Sequence, residues 1–344
     1  MLYVKASKKN AERTRKKLLQ LGILSLEHDL IKKNKFIYFP VLKKPKGFDT
    51  VEMKGKKKKV KPRRITEVLK KILTPPEFEK LKTSFDVIGS VAIIEIPPEL
   101  QKKEKQIAKA LMEVHRRVKT VAKKTGPMSG EFRVRKLKVI AGEKNTETVY
   151  RESGCVMKLD PAKVYFSIRL SHERERIADL VKPKEKILAL FAGVGPFPLV
   201  IAKRKRNTEI VAVELNPSAV KYMEENIRLN KLPNIRVVEG DAREAVKHFE
   251  KWADRILMPL PKSGEEFLED VMPSAKNKGV MHFYTFSDGE NPFIKPEKAV
   301  KKAAEKCGLK AKVIRKRIVR PYAPKIVQVV LDVLIQHPAQ RENS

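Results

Sequence analysis

The sequence predicts an α/β protein: a mostly parallel sheet ending in an antiparallel strand pair, preceded by a small basic α/β N-terminal module and an α+β middle domain. Three observations carry this. From about residue 161 apolar strands alternate with amphipathic helices, the pattern of repeated βαβ units with helices on both faces of the sheet. A glycine-rich turn, FAGVGPF at 191–197, directly follows the first of these strands. The net charge of +35 is concentrated in front, where residues 1–150 hold 39 Lys/Arg against 16 Asp/Glu while the rest hold 37 against 25. A chain of 344 residues with 42% hydrophobic content suits two or three packed domains.

Residues 1–64 form the first expected part. MLYVKA reads as a short strand, Lys9 to Leu21 as an amphipathic helix closed by Gly22, and KFIYFPV at 35–41 as another strand. The run KGKKKKVKPRR at 54–64 cannot bury itself, and is either a solvated linker or a strap that follows phosphates. The middle part, 65–160, has helices over ITEVLKKIL and TPPEFEKL, a buried strand pair in FDVIGSVAIIEIP, and a helix over KQIAKALMEVHRRV that carries His115. Two strands follow, EFRVRKLKVIAG and ETVYRESGCVMKLD, joined by a turn near Gly142 to Asn145; the alternation in FRVRKLKVI gives one basic face and one apolar face. The last part, 161–344, places strands at KILAL, EIVAVELN, IRVVEGDA, DRILMPLP and GVMHFYTF with helices between them, and closes on the strand pair AKVIRKRIV and KIVQVVLDVLI.

Such a basic chain favours polyanions, because each neutralised phosphate releases a condensed counterion. Ion-pair networks on a thermophile surface would call for balanced charge, which this chain lacks. The two cysteines, Cys155 and Cys307, have no metal-ligand or disulfide-framework spacing, so no metal is expected and a reducing cytoplasm is the natural compartment. No stretch approaches the ~18 apolar residues of a membrane span, and the N-terminus lacks a signal core.

The glycine turn points to a nucleoside-binding, Rossmann-like site. Gly193 and Gly195 let the backbone turn tightly and approach a ligand. Glu214 ends the next strand, 21 residues after Gly193, where an acidic side chain can accept from both ribose hydroxyls. Asp241 ends the third strand, within reach of an adenine amine. A nicotinamide dinucleotide would require a third glycine, but Pro198 occupies that position, and Pro196 and Pro198 remove helix N-terminal donors that a pyrophosphate would use. S-adenosylmethionine has no phosphate and is the expected cofactor. Pro259 and Pro261 flank Leu260 at the end of the fourth strand, which lines the acceptor pocket in class I methyltransferases.

With these motifs in place, the sequence resembles the archaeal and eukaryotic tRNA (guanine-37-N1)-methyltransferase family. The resemblance runs from about residue 128 to the C-terminus, and more loosely over the N-terminal module; it is carried by EFRVRKLKVIAGE, KVYFSIRLSHERERI, FAGVGPF, VELNPSA, MPLPKS and VRPYAPKIVQVVLDV. It implies a class I methyltransferase domain, an N-terminal module that contacts the tRNA elbow, catalysis at the anticodon loop, and a monomer. The family's catalytic arginine falls on Arg133, its catalytic glutamate on Glu173, its tyrosine near the methyl donor on Tyr165, and a cofactor-contacting arginine on Arg174. The cofactor set is completed by Phe191, Gly193, Gly195, Glu214, Leu215, Asn216, Asp241, Ala242, Pro259 and Pro261. Where the family usually has Asn-Leu-Pro, this chain has Pro259-Leu260-Pro261, which removes an amide from the acceptor pocket.

The chemistry fits these residue types. N1 of guanine is protonated at neutral pH, so methyl transfer needs a base such as Glu173, while negative charge developing on O6 needs a donor such as Arg133. By spacing alone, Glu173 in HERER reads as a surface ion pair and Arg133 as part of a basic RNA-binding strand; the resemblance is what assigns their roles. Aminocarboxypropyl transfer and methylation of a wyosine-type tricyclic base at the same tRNA position stay open within the fold, and outside enzymes so does an RNA-binding scaffold.

Overall fold

The computed structural model describes residues 1–57, 64–81, 84–126, 130, 132 and 134–338. It divides into two compact units, Met1–Val68 and Leu69–Ser344. Arg133 and most of the 54–64 basic run lie outside the described residues.

In the first unit, β1 (Leu2–Ser7) leads into α1 (Ala11–Gln20), followed by β2 (Ile31–Lys33), β3 (Phe36–Pro40) and β4 (Thr50–Glu52). The strands form an antiparallel sheet in the order β2-β3-β1-β4. Val4, Ala6, Ala11, Leu18, Ile23, Phe39 and Val41 make its small core. Gly22 turns the chain after α1 at φ 65°, as expected of a C-terminal cap.

α2 (Ile65–Leu69) is shorter than the helix expected there, and α3 (Pro75–Lys80) starts on a capping box between Thr74 and Glu77. β5 (Asp86–Ile88), β6 (Val91–Ile94), α4 (Glu104–Val114), β7 (Thr120–Lys124) and β8 (Leu137–Gly142) build a four-stranded sheet in chain order. His115 is not on α4 but just past its end, its ring edge-on to Phe85 with centroids 5.2 Å apart.

One expected strand is two. Residues 147–160 form a hairpin of β9 (Thr148–Glu152) and β10 (Cys155–Leu159), and β8 pairs with β7 rather than with β9. The hairpin turns on Ser153 at φ 46° and Gly154 at φ 75°, the positive angles that a tight two-residue connection requires. Two asparagines dock β10 on the following domain. Asn230 of the helix below accepts from Val156 N at 2.8 Å and donates to Val156 O at 2.6 Å; Asn226 does the same for Lys158 at 2.7 and 3.1 Å. These side-chain amides satisfy the edge of β10 as a neighbouring strand would.

The remaining elements are α5 (Ser171–Leu180), β11 (Lys186–Ala189), α6 (Pro196–Arg204), β12 (Glu209–Glu214), α7 (Pro217–Asn230), β13 (Ile235–Glu239), α8 (Ala242–Val246), β14 (Ala253–Met258), α9 (Leu268–Val271), β15 (Ala275–Asp288), α10 (Ile294–Lys306), β16 (Lys310–Ala323) and β17 (Ile326–Gln336). They form a seven-stranded sheet, β13-β12-β11-β14-β15-β17-β16, parallel through β15 and antiparallel beyond it. Ile187, Leu188 and Ala189 are all buried, as a strand covered on both faces demands. One face packs on a core with Ile187, Ile210 and Leu257, the other on a core with Leu188, Val211 and Ile256. Ile88, Val91 and Ile93 of the middle sheet share the first of these cores, so no gap in packing falls at residue 160. No helix among the described residues is long and apolar enough to cross a membrane.

Candidate active site

Chain order and sheet order together locate the crevice. The chain passes from β11 outward through β12 to β13, then returns to β14 on the other side of β11. Ligands bind outside the carboxyl ends of strands at such a reversal. The expected cofactor residues, apart from Arg174, lie at the ends of these four adjacent strands: Phe191, Gly193 and Gly195 after β11; Glu214, Leu215 and Asn216 at β12; Asp241 and Ala242 after β13; Pro259 and Pro261 after β14.

The turn after β11 needs its glycines. Gly195 caps α6 at φ 85°, and a Cβ there would come within 2.9 Å of Met223 Cγ. Gly193 sits at φ 58°, and the space beside it opens toward the Tyr165 carbonyl, 3.7 Å from where a Cβ would lie. The structure therefore brings Tyr165 to the glycine turn. Glu214 ties the turn to the next strand, accepting from Gly193 N at 2.7 Å through one oxygen and from Asn216 N at 2.9 Å through the other. The carboxylate keeps accepting capacity for a ribose hydroxyl. Burial pushes this carboxyl above its ordinary value, against the backbone N–H groups of Asn216, Gly193 and Leu215. Asn216 caps α7 by accepting from Ser218 N at 3.0 Å, and Asp241 caps α8 by accepting from Arg243 N at 2.6 Å. Phe191 meets Phe267 edge-on at 4.9 Å, with the Arg243 guanidinium 4.0 Å from the centre of the Phe267 ring. A carboxylate for ribose hydroxyls, an acid for an amine and an aromatic wall fit an adenosyl group; among these residues the backbone donors that a pyrophosphate would use are replaced by Pro196 and Pro198.

Glu173 is no surface residue. It is 3% exposed, on the first turn of α5. Its Oε1 accepts from Tyr284 Oη and Arg176 Nη2, both at 2.7 Å, and both oxygens accept from Arg176 Nε at 3.0 Å. Arg176 continues to Asp332 at 2.8 Å, Asp332 to His282 Nδ1 at 2.6 Å, His282 Nε2 to Arg255 at 2.6 Å, and Arg255 to Glu185 at 2.7 Å. Burial holds His282 below its ordinary value, so a neutral ring donating from Nδ1 and accepting at Nε2 fits both neighbours. Burial opposes ionisation of Asp332, but hydrogen bonds from His282 and Arg176 outweigh it and hold the acid below the usual carboxylate range. The Tyr284 hydroxyl is pushed well up by burial and by the Glu173 charge, which keeps it a donor. Sequence reasoning found Glu173 but not Arg176, Tyr284, His282 or Asp332, which only the α5–β15–β17 packing brings together.

Arg174, to which the resemblance assigns a cofactor contact, is buried and paired within the protein. It is 1% exposed, and its guanidinium is committed to both oxygens of Glu152 and, at 3.1 Å, to Ser167 O, with Phe166 beneath it. In this arrangement it clamps the β9–β10 hairpin to the segment before α5. Asp86 of β5 joins the middle sheet to the same segment, accepting from Arg169 at 2.9 Å and from Arg135 at 3.4 Å.

Comparison with known proteins fits this geometry. Residues 4–49 match the tRNA methyltransferase 5 N-terminal domain, 65–146 the TYW2 N-terminal domain, and 148–314 the TRM5/TYW2 methyltransferase domain. The tRNA (guanine(37)-N(1))-methyltransferase Trm5b of Pyrococcus abyssi is 41% identical over 96% of this chain and 98% of its own length. This chain belongs to the TRM5/TYW2 methyltransferase family. Among solved structures, the complex of aTrm5 with tRNALeu aligns with a TM-score of 0.80 at 31% identity, covering 97% of this chain and 99% of that one. TYW2 of Methanocaldococcus jannaschii in complex with AdoMet aligns with a TM-score of 0.59 at 27% identity, covering 74% and 100%. The family's N-terminal boundary with the methyltransferase domain, at 148, falls at the start of the β9–β10 hairpin, in keeping with its docking on α7.

Proposed function

We propose that this chain transfers the methyl group of S-adenosylmethionine to N1 of guanosine 37 in tRNA, with Glu173 as the general base. The observation that carries this is the buried Glu173 carboxylate, fixed by Arg176 and Tyr284 at the face of the sheet that opens, two residues on, to the acceptor strand end: Phe286 N donates to Pro261 O at 3.1 Å. Bound S-adenosylmethionine supplies the methyl group. Glu173 Oε2 accepts hydrogen bonds less heavily than Oε1 and offers its remaining lone pair to the N1 proton. Arg133 donates to O6 as its charge develops, and Tyr165 orders the donor side of the glycine turn. Asp86, through Arg135 and Arg169, ties the strand region after Arg133 to the segment that carries Glu173. The protein acts as a monomer, its first unit on the tRNA elbow and its second on the anticodon loop.

The test is product identity. The protein is incubated with S-adenosylmethionine and an unmodified transcript carrying G37, with an A37 transcript as control, and the digested nucleosides are weighed by mass spectrometry. 1-Methylguanosine with G37 alone is expected. Glu173→Gln should lower kcat by ~10²–10⁴-fold and Arg133→Ala by ~10²–10³-fold while cofactor binding persists. A second reading is favoured by Pro259: without the usual amide the pocket suits a wyosine-type tricyclic base, and product only on tRNA bearing such an intermediate would replace guanosine as the acceptor.

A further inference from the structure

The outer edge of the seven-stranded sheet carries more recognition chemistry than an edge needs. β16 holds Lys310, Lys312, Arg315, Lys316, Arg317 and Arg320, interleaved with the exposed apolar residues Ile314, Ile318 and Tyr322. Register places Arg315 beside Asp332 and Arg317 beside Val330, and those beside His282 and Tyr284. Cross-strand partners share a face, so Arg315 and Arg317 project on the face that carries the Glu173–Tyr284 contact. Phe286, two residues beyond Tyr284, lies on that face too. Its ring stacks on Tyr322 with centroids 4.0 Å apart and planes 31° from parallel. Tyr322 stays 48% exposed, with the Arg320 guanidinium 6.0 Å from its centre and held by Gln328 at 2.8 Å. Register shifts at Val313/Arg315, Ile318/Arg320 and Pro321/Ala323 bend the strand and unsuit it to pair with another β edge. A basic strand with an exposed aromatic platform instead suits single-stranded nucleic acid.

With tRNA as the substrate, we propose that β16 is the track for the single-stranded RNA flanking the target nucleotide: phosphates lie along Arg315 and Arg317, and one base adjacent to the target stacks on Tyr322. The stack then holds the neighbouring base beside the Pro261 strand end while the target enters toward Glu173.

The test measures tRNA affinity with wild type, Tyr322→Ala and Tyr322→Phe, using G37 transcripts with an intact loop or with an abasic nucleotide at position 36 or 38. Tyr322→Ala should weaken binding roughly 5- to 150-fold, the range for losing one base stack, and Tyr322→Phe should bind as wild type. One of the two abasic transcripts should lose as much with wild type and nothing further with Tyr322→Ala. Losses that add at both positions, or no loss from either abasic transcript with wild type, overturn the stack. Arg315→Gln with Arg317→Gln should reduce the slope of log affinity against log salt by ~1.4; an unchanged slope overturns the phosphate contacts. Calorimetry with S-adenosylmethionine should be unchanged in every variant, since none touches the cofactor crevice. Wild type that binds tRNA through Tyr322 but forms no methylated nucleoside would leave the track standing and fell the proposed acceptor.

Discussion

Glu214 joins two strand ends and offers a ribose its remaining lone pairs, and its titration makes this testable. Its folded pKa lies above the ordinary 4.5 because burial disfavours the charge. Accepting two hydroxyl hydrogens needs the ionised form, so cofactor affinity should fall as pH drops, and the fall should begin above the usual carboxylate range. Titration calorimetry across pH 7 to 5 should show this loss in wild type and not in Glu214→Gln, whose affinity at pH 7 should already be lower by about 100-fold or more, given ~1.5–3 kcal/mol for each charged hydrogen bond. A shared pH profile would detach the titration from Glu214. The stability sign is the opposite: a raised carboxyl pKa favours folding at low pH and costs it as pH rises through that value, so the melting temperature of the cofactor-free protein should carry a pH-dependent loss in wild type that is absent in Glu214→Gln. A different cost attends Arg176. Its replacement by Met strands the buried acids Glu173 and Asp332 together, and should destabilise by about 3–5 kcal/mol in denaturant unfolding. The contrast marks what the sequence could reveal. Glu214 and Asp241 were legible because parallel strands put their ends, at regular spacing, in one crevice. Glu173 was legible only through its family motif, and Arg176–Asp332, 156 residues apart, not at all, since sheet order alone makes them neighbours.

At the scale of elements, the strand–helix alternation after residue 161 was legible as a mostly parallel sheet because each buried parallel strand is a short apolar run between turns. The hairpin at 148–159 escaped because its residues alternate as one long strand would, and only Ser153-Gly154 marks the reversal. Its docking also was beyond sequence reach: Asn226 and Asn230 look like ordinary polar positions of an amphipathic helix, yet they are 0% and 6% exposed. Asn226 does a third thing, donating to Val194 O at 3.1 Å inside the glycine turn. Asn226→Ala should therefore cost at least about 2 kcal/mol of stability, through orphaned polar groups of Lys158 and Val194, and also weaken S-adenosylmethionine binding. Asn230→Ala, which does not reach the turn, should lose stability with cofactor affinity kept. Equal effects of both on cofactor binding would separate the turn from Asn226.

Across the whole molecule, charge is the property that the sequence displays most openly and the fold explains least locally. Residues 1–150 carry a net +23 of the total +35, whereas the elements of the cofactor crevice begin after residue 160. A positive excess of this size suits a polyanionic partner. The basic run at 54–64 lies in the first unit, a few residues before the second begins, and is the sharpest place to ask whether the charge is used. Replacing Lys54, Lys56, Lys57 and Lys59 by Gln removes four charges without touching any residue of the crevice. If the run follows phosphates, tRNA affinity should drop and the slope of log affinity against log salt should flatten by up to ~3.6, at ~0.9 per duplex phosphate contact, while the slope change from Arg315→Gln with Arg317→Gln stays additive to it. An unchanged slope would make the run a solvated linker, and the charge that binds RNA would then lie in the folded units themselves.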